Sequence, residues 1–394
     1  VLRNVLLSCA VLSTFTLFLL SWTAVKTGTR GDGRSESERH TPVAHVYSKS
    51  RIFPQGGEDV IFDQPWQIAP KEVITTSEYF AKNEKKRYIV ADFTYSNGLG
   101  NLMFQYASLR ALSRKFSARL VLSENCILRR AFDLDAIFAT DDVVMQLLID
   151  YAHTAIEVTQ CCTYKEDINP FESGENVAVV NGYFQSPRYF QGPKDVRLIQ
   201  AQFLFLNEIR LKAEKFMNSV RARSLLLLAK RTGEDSHDQA FVIEEPQQEL
   251  YIVGVHVRHG MDITMHSRNK QYGQVAAPVS YYEHAMNQMR QHLHVNVVFV
   301  FCSDDMPWVK RTFKEKRKGE FFFSDNEKYR EIDLAILSQA DGLIISSGTF
   351  SWWAGWLSRS NDVIYFADWP TNGSPLYKQM NKTEYYPADW KAVY

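Results

Sequence analysis

Residues Tyr251–Asp262 read YIVGVHVRHGMD. The stretch opens as an unbroken apolar run, Tyr251 to Val255, and closes on His256, Arg258, His259 and Asp262. An apolar run with β-branched residues and no alternation predicts a strand buried on both faces, as in a parallel sheet. In open α/β sheets ligands bind outside the carboxyl ends of such strands. A cationic, hydrogen-bonding cluster therefore falls where a ligand is expected. A lone Arg leaving a strand usually just meets solvent. Here the cluster is dense, and two later strands end in the same way.

Downstream, strands and helices alternate. Helix Tyr281–His292 leads to strand Val295–Cys302 and then Ser303-Asp304-Asp305. Helix Pro307–Lys318, strand Phe321–Phe323, helix Arg330–Gln339 and strand Gly342–Ser346 follow. The turn Ser347-Gly348-Thr349, helix Phe350–Arg359 and strand Val363–Ala367 complete the series. This alternation predicts a parallel, doubly wound sheet. The strand-end groups His256/Arg258/Asp262, Ser303/Asp304/Asp305 and Ser346/Ser347/Thr349 then line one crevice. Arg258 can fork onto a phosphate with two hydrogen bonds. The hydroxyls and amides of Ser347–Phe350, at a helix N-terminus, make an anion site. Capping of that helix by Ser347 or Thr349 is the structural alternative, at even odds. Ser303, Asp304 and Asp333 can accept hydrogen bonds from a nucleobase or ribose.

Upstream, Tyr88–Phe93 predicts a strand, Asn97-Gly98-Leu99-Gly100-Asn101 a glycine-bearing turn, and Leu102 to Phe116 a helix with apolar positions at helical spacing. Strand Arg119–Ser123 completes a β–turn–α–β unit whose turn can bring backbone amides to a ligand. Asn176–Phe184 is a further strand and Gln202–Arg231 a long helix. Residues 26–86 mix Gly, Ser, Glu, Arg, Pro and Lys without periodicity, the composition of a spacer. Asn4–Val25 carries no charge and is long enough, at about 20 residues, to span a bilayer. Its exit lacks a small-residue cleavage pattern, which favours an uncleaved anchor over a signal peptide. The charges flanking it, Arg3 before and Lys26, Arg30, Arg34 and Arg39 after, lean against a lumenal body.

Lys plus Arg and Asp plus Glu both total 45, so no net charge draws the chain to nucleic acid. The cysteines (Cys9, Cys126, Cys161, Cys162, Cys302) show no metal spacing. Cys9 and Cys302 fall in apolar segments; Cys126, Cys161 and Cys162 are available for a disulfide of undetermined pairing. Asp133-Leu134-Asp135 matches an acidic metal motif in letters, but Arg129, Arg130 and Ala131 precede it instead of an apolar strand, which marks a surface match. The basic run Lys310–Lys318 reads as a solvated helix face. Trp352, Trp353 and Trp356 read as core packing, with sugar stacking open to one of them. Asn372 and Asn381 lie in N-glycosylation sequons, and Pro375 after the first makes Asn381 the better acceptor.

The stretches NGLGNLMFQYASLRALSRKF, NGYFQSPRYF, VGVHVRHGMD, VVFVFCSDDMPWVK and DLAILSQADGLIISSGTFSWWAGWLS, in this order from Tyr88 to the C-terminus, resemble the inverting α1,2-fucosyltransferases, glycosyltransferase family 11. The resemblance implies a GT-B-like α/β fold of two Rossmann-type doubly wound domains, preceded by a transmembrane helix and stem. It implies the division 1–3 cytoplasmic tail, 4–25 signal anchor, 26–86 stem, 87–240 acceptor-side domain and 241–394 GDP-fucose-binding domain. It further implies a single-pass type II protein of the Golgi membrane with a lumenal catalytic domain. The donor is then GDP-fucose, the acceptor a terminal β-galactoside, and no metal or other cofactor takes part. Donor-binding residues are His256, Arg258, His259, Ser303, Asp304, Asp333, Ser347, Thr349 and Phe350. Gly98, Gly100 and Asn101 face the cleft from the acceptor side. Arg258 would stabilise departing GDP, with Asp262, ahead of His256, as catalytic base. The chain departs from the family's H-x-R-R-G-D: His259 replaces the second Arg, and Met261 precedes Asp262. Leu102 also stands where the glycine turn commonly carries Gln. Alternatives are another acceptor or linkage, or a silent Golgi lectin or chaperone retaining the fold.

Overall fold

Two parallel sheets, each built from strand–helix repeats, organise the chain in a computed structural model. The structure describes residues 45–46, 72–82, 85–93, 98–233, 250–292, 295–313, 319–326, 329–358 and 360–394. The first sheet contains β1 (His45–Val46), β2 (Glu72–Ile74), β3 (Arg87–Val90), β4 (Ala118–Ser123), β5 (Ile137–Ala139), β6 (Ile156–Val158) and β7 (Val177–Gly182). Their spatial order is β1-β2-β5-β4-β3-β7-β6, parallel except for the β1–β2 pair.

The second sheet contains β8 (Leu250–Val257), β9 (Asn296–Ser303), β10 (Phe321–Phe323), β11 (Gly342–Ile345), β12 (Val363–Phe366) and β13 (Lys391–Val393). It is parallel throughout, in the order β10-β9-β8-β11-β12-β13. The chain winds outward from β8 in one direction, returns, and continues from β11 in the other. That order is the doubly wound dinucleotide-binding one, and its switch point lies between β8 and β11. The apolar run Ile252–Val255 is central and buried, as its lack of alternation predicts.

Helix Leu99–Lys115 of the first sheet and helix Thr349–Leu357 of the second meet face to face. Trp352 and Trp353 are buried, and Phe104 lies 4.6 and 5.0 Å from their ring centroids. The Trp353 indole N–H donates to the Gly100 carbonyl at 3.0 Å. One apolar core consequently runs through both sheets, with a smaller one on the other face of the first. The tryptophans pack the core, as their sequence positions suggest.

Several expectations change. The first sheet starts earlier than a spacer over 26–86 allows, because β2 pairs with β5. Three-residue strands are too short to show alternation, and β5, β6 and β13 escaped notice for the same reason. The helix expected over Gln202–Arg231 is Asn207–Gly233, starting five residues later, and a separate helix, Pro193–Gln202, precedes it. Between them the Leu206 amide donates to the Ala131 carbonyl at 2.8 Å and Phe205 bridges to Phe132. The second of these helices packs against helix Arg330–Leu337 of the C-terminal sheet, with Arg221 3.3 Å from Asp341. This helix, which lies before residue 240, thus touches an element of the C-terminal sheet. Cys161 and Cys162 are bonded to each other, and Cys126 and Cys302 are free and buried. The segment 4–25 lies outside the described residues, as does Asn97. Among the described residues no helix is long and apolar enough to cross a membrane.

Candidate active site

The register of β8 decides what reaches the crevice. Side chains alternate along a strand, so His256 and Arg258 point to the same side, one still inside the sheet and the other just past its end. His256 is buried, flanked by Cys302 on β9 and Ile345 on β11. Its Nδ1 lies 2.5 Å from Ser351 Oγ, and its ring packs on Phe350 at 4.8 Å. Burial, followed by the Arg258 charge, pushes its pKa down to about 3. His256 is a neutral structural hub joining β8 to helix Thr349–Leu357. It is not placed to take a proton from a substrate, contrary to the catalytic role considered for it.

Arg258 emerges into the crevice. Its amide donates to Ser346 Oγ at 3.0 Å, tying the ends of β8 and β11 together. Its guanidinium is paired with the carboxylates of Asp304 and Asp262. Burial lowers its pKa, the charge and hydrogen bond of Asp262 oppose that, and the Arg330 charge adds to the lowering. Asp304 also accepts from the amides of His259 (2.7 Å) and Gly260 (3.1 Å). A Cβ on Gly260 would stand 2.6 Å from the Asp304 carboxylate, so a side chain here would push the Arg258–Asp304 pair aside. The carboxylate of Asp262, the expected base, is engaged by Arg258. His259 departs furthest from expectation: its Nδ1 lies 2.9 Å from Asp305 Oδ2 and its ring stacks on Trp308. Trp308 was not singled out from the sequence, although one turn after Asp305 is within reach of the strand-end loop.

At the other wall, Gly348 sits at φ +90° and precedes helix Thr349–Leu357. Neither Ser347 nor Thr349 caps that helix. Ser347 Oγ is buried without a hydrogen-bond partner. Thr349 Oγ1 instead donates to Asn101 Oδ1 at 2.6 Å, reaching the first sheet's glycine turn. A Cβ on Gly100 would lie 2.6 Å from the Phe350 amide nitrogen, so this glycine is what allows the two helix starts to touch. Gly100 and Asn101 thus stand against Thr349 and Phe350.

Ser303 Oγ accepts from the Asp305 amide at 2.9 Å and shapes the loop from within. Asp333 is set apart from the Arg258 group. Its buried carboxyl accepts from the Ser324 hydroxyl and, at 3.4 Å, from the Asn326 amide. Burial raises its pKa to about 6. Asp135 of the acidic motif is paired with Arg110 (2.5 Å) and Arg119 (3.3 Å), a surface cluster unsuited to a cation.

At the second sheet's switch point the Arg258 guanidinium thus lies past the end of β8, and the start of helix Thr349–Leu357, with the buried and unpartnered Ser347 hydroxyl before it, past the end of β11. That combination suits a diphosphate. Comparisons with known proteins agree in kind. Residues 240–393 match the model of Glycosyl transferase family 11. The O-antigen biosynthesis glycosyltransferase WbnK of Escherichia coli is 25% identical over 292 residues, covering 68% of this chain and 90% of that protein. Galactoside alpha-(1,2)-fucosyltransferase 2 of Sus scrofa is 23% identical over 359 residues, covering 89% and 93%. Galactoside 2-alpha-L-fucosyltransferase Sec1 of Mus musculus is 31% identical over 143 residues, covering 36% of this chain and 38% of that protein.

Proposed function

We propose that this chain, whose residues 240–393 match the model of Glycosyl transferase family 11, transfers fucose from GDP-fucose, with inversion, to the 2-hydroxyl of a terminal β-galactoside. The observation that carries this is the switch point, where the Arg258 amide ties the end of β8 to Ser346 at the end of β11, just before the Ser347–Phe350 turn. The diphosphate of GDP takes the place of a carboxylate on Arg258. Its oxygens accept from that guanidinium, from the first amides of helix Thr349–Leu357 and from Ser347 Oγ. Each donor is fixed by the fold before the charge develops, which is what electrostatic stabilisation of a leaving group requires. Ser303, Asp304 and Asp333 serve the nucleoside end, and His256 and Phe350 brace the wall behind the phosphates.

The acceptor approaches from the first sheet, past Gly98, Gly100 and Asn101. The cation that a metal supplies in other nucleotide-sugar enzymes is here Arg258, so the reaction proceeds without a metal. The uncharged segment 4–25 anchors the protein as a type II Golgi membrane protein with a lumenal catalytic body. The sequon residues Asn381 and Asn372, both exposed, are the glycan acceptors.

Incubation of the full chain with GDP-fucose and a panel of β-galactosides, with and without EDTA, tests the assignment. Fucose on the galactose 2-hydroxyl in both conditions is the expected product. Transfer abolished by EDTA would remove the metal-free part. GDP-fucose binding without transfer to any galactoside would point to another acceptor, and no binding at all to a silent lectin.

A further inference from the structure

One arrangement beside Arg258 is not used by donor binding. His259 Nδ1 lies 2.9 Å from Asp305 Oδ2, and the imidazole stacks on the Trp308 indole at 3.8 Å with planes 13° apart. Asp305 is itself immobilised. Its Oδ1 accepts from the Trp308 amide at 3.1 Å, and its own amide donates to Ser303 Oγ at 2.9 Å. A carboxylate facing Nδ1 selects the tautomer protonated there and leaves a lone pair on Nε2. Among the described residues Nε2 has no hydrogen-bond partner, and it is not one of the buried unsatisfied atoms. The side chain is 22% exposed. The ring is therefore held on one edge and one face, with its second nitrogen unpartnered among the described residues.

The other two candidates are less suited to accept a proton. His256 is enclosed and hydrogen-bonded to Ser351, and Asp262 is engaged by Arg258. We propose that His259 is the catalytic base of the transfer, with Asp305 and Trp308 as its positioning residues. The proposal rests on the fucosyl-transfer assignment above. Nε2 takes the proton of the acceptor 2-hydroxyl as that oxygen bonds to C1 of fucose. The bond from C1 to the β-phosphate oxygen breaks, and its electron pair leaves with GDP. The imidazolium is compensated by the Asp305 carboxylate until its proton passes to water. Replacement of the family's second arginine by histidine then changes the chemistry available at this position; it does not simply weaken the anion site.

The test compares the full-length parent with His259→Ala, Asp305→Asn and Asp262→Asn. In His259→Ala, kcat is expected to fall roughly 10²–10⁴-fold, the span of a general base. Its calorimetric GDP affinity should stay within about twofold of the parent, and added imidazole should restore part of kcat. Asp305→Asn keeps the helix cap and should lower kcat by about tenfold with GDP affinity retained. His259→Gln gives the same comparison if the alanine variant does not melt cooperatively. Weakened GDP binding with kcat preserved would make His259 a donor ligand and overturn the proposal. So would unchanged turnover, or an equal loss in Asp262→Asn with no imidazole effect in His259→Ala. A parent that transfers no fucose would remove the assignment and the proposal together, whereas an active parent with an indifferent His259→Ala removes the proposal alone.

Discussion

At the scale of single residues, geometry separates groups that the sequence places side by side. His256, Arg258 and His259 lie within four positions, yet one is sealed in the sheet, one is a paired cation and one is an open imidazole. Replacing Arg258 with Lys keeps the charge and removes the fork that can hold two carboxylate or phosphate oxygens at once. We expect kcat/KM for GDP-fucose to drop by roughly 10²-fold or more, and parent-like turnover would contradict the assigned role. Asp333 yields a stability prediction. Its folded-state pKa of about 6 exceeds the ordinary 3.8, so the folded protein binds this proton more tightly than the unfolded chain. Stability from this site therefore falls as pH rises from about 4 to about 6 and stays reduced above, by about 3 kcal/mol at most. Asp333→Asn should raise Tm relative to the parent at about pH 8, with the gain shrinking towards about pH 4.5. A gain independent of pH would assign it to packing instead.

At the scale of elements, strands of the second sheet were legible because they are long, apolar and separated by helices. β8, β9 and β11 fall within a residue or so of their expected ends. The strand ends Arg258, Ser303 and Ser346 were legible for the same reason, since a polar residue after an apolar run marks where a strand leaves the sheet. What the sequence hid depends on partners distant in the chain. β2 and β13 are strands only because a neighbour completes them. Ser347 and Thr349 both looked like caps, and nothing local could show that one is left unpartnered and the other spent on Asn101. The contact of helices Leu99–Lys115 and Thr349–Leu357 depends on Gly100. Gly100→Ala would press a methyl into the backbone of Thr349 and Phe350. We expect a loss of about 1–3 kcal/mol in stability and weaker GDP binding, read by thermal melting and calorimetry. Retention of both would mean the helix starts can part without consequence.

At the scale of the molecule, residues 44–394 form one compact unit in spite of having two sheets. The core passes from Ile89 and Phe104 through Trp353 to Val255 and Ile345 without interruption. Such a body is expected to unfold in a single calorimetric transition, with van't Hoff and calorimetric enthalpies in agreement. Two resolved transitions would show that the sheets melt separately. The two parallel α/β sheets expected from the sequence are present, and the aromatic seam that joins them is what no local pattern could reveal.

That seam has a mechanical consequence. A clamshell enzyme admits its substrates by swinging its jaws apart about a flexible axis, and the residues between the jaws must tolerate water each time. Here the inner faces of the jaws carry Trp352 and Trp353, buried against Phe104, Phe190 and Phe203. Wetting either indole costs roughly 4–6 kcal/mol at ordinary areas and transfer energies. Parting the jaws along this seam would therefore be strongly opposed. A rearrangement confined to the short turn Arg258–Asp262, where Arg258 is held by carboxylates, would leave both indoles dry.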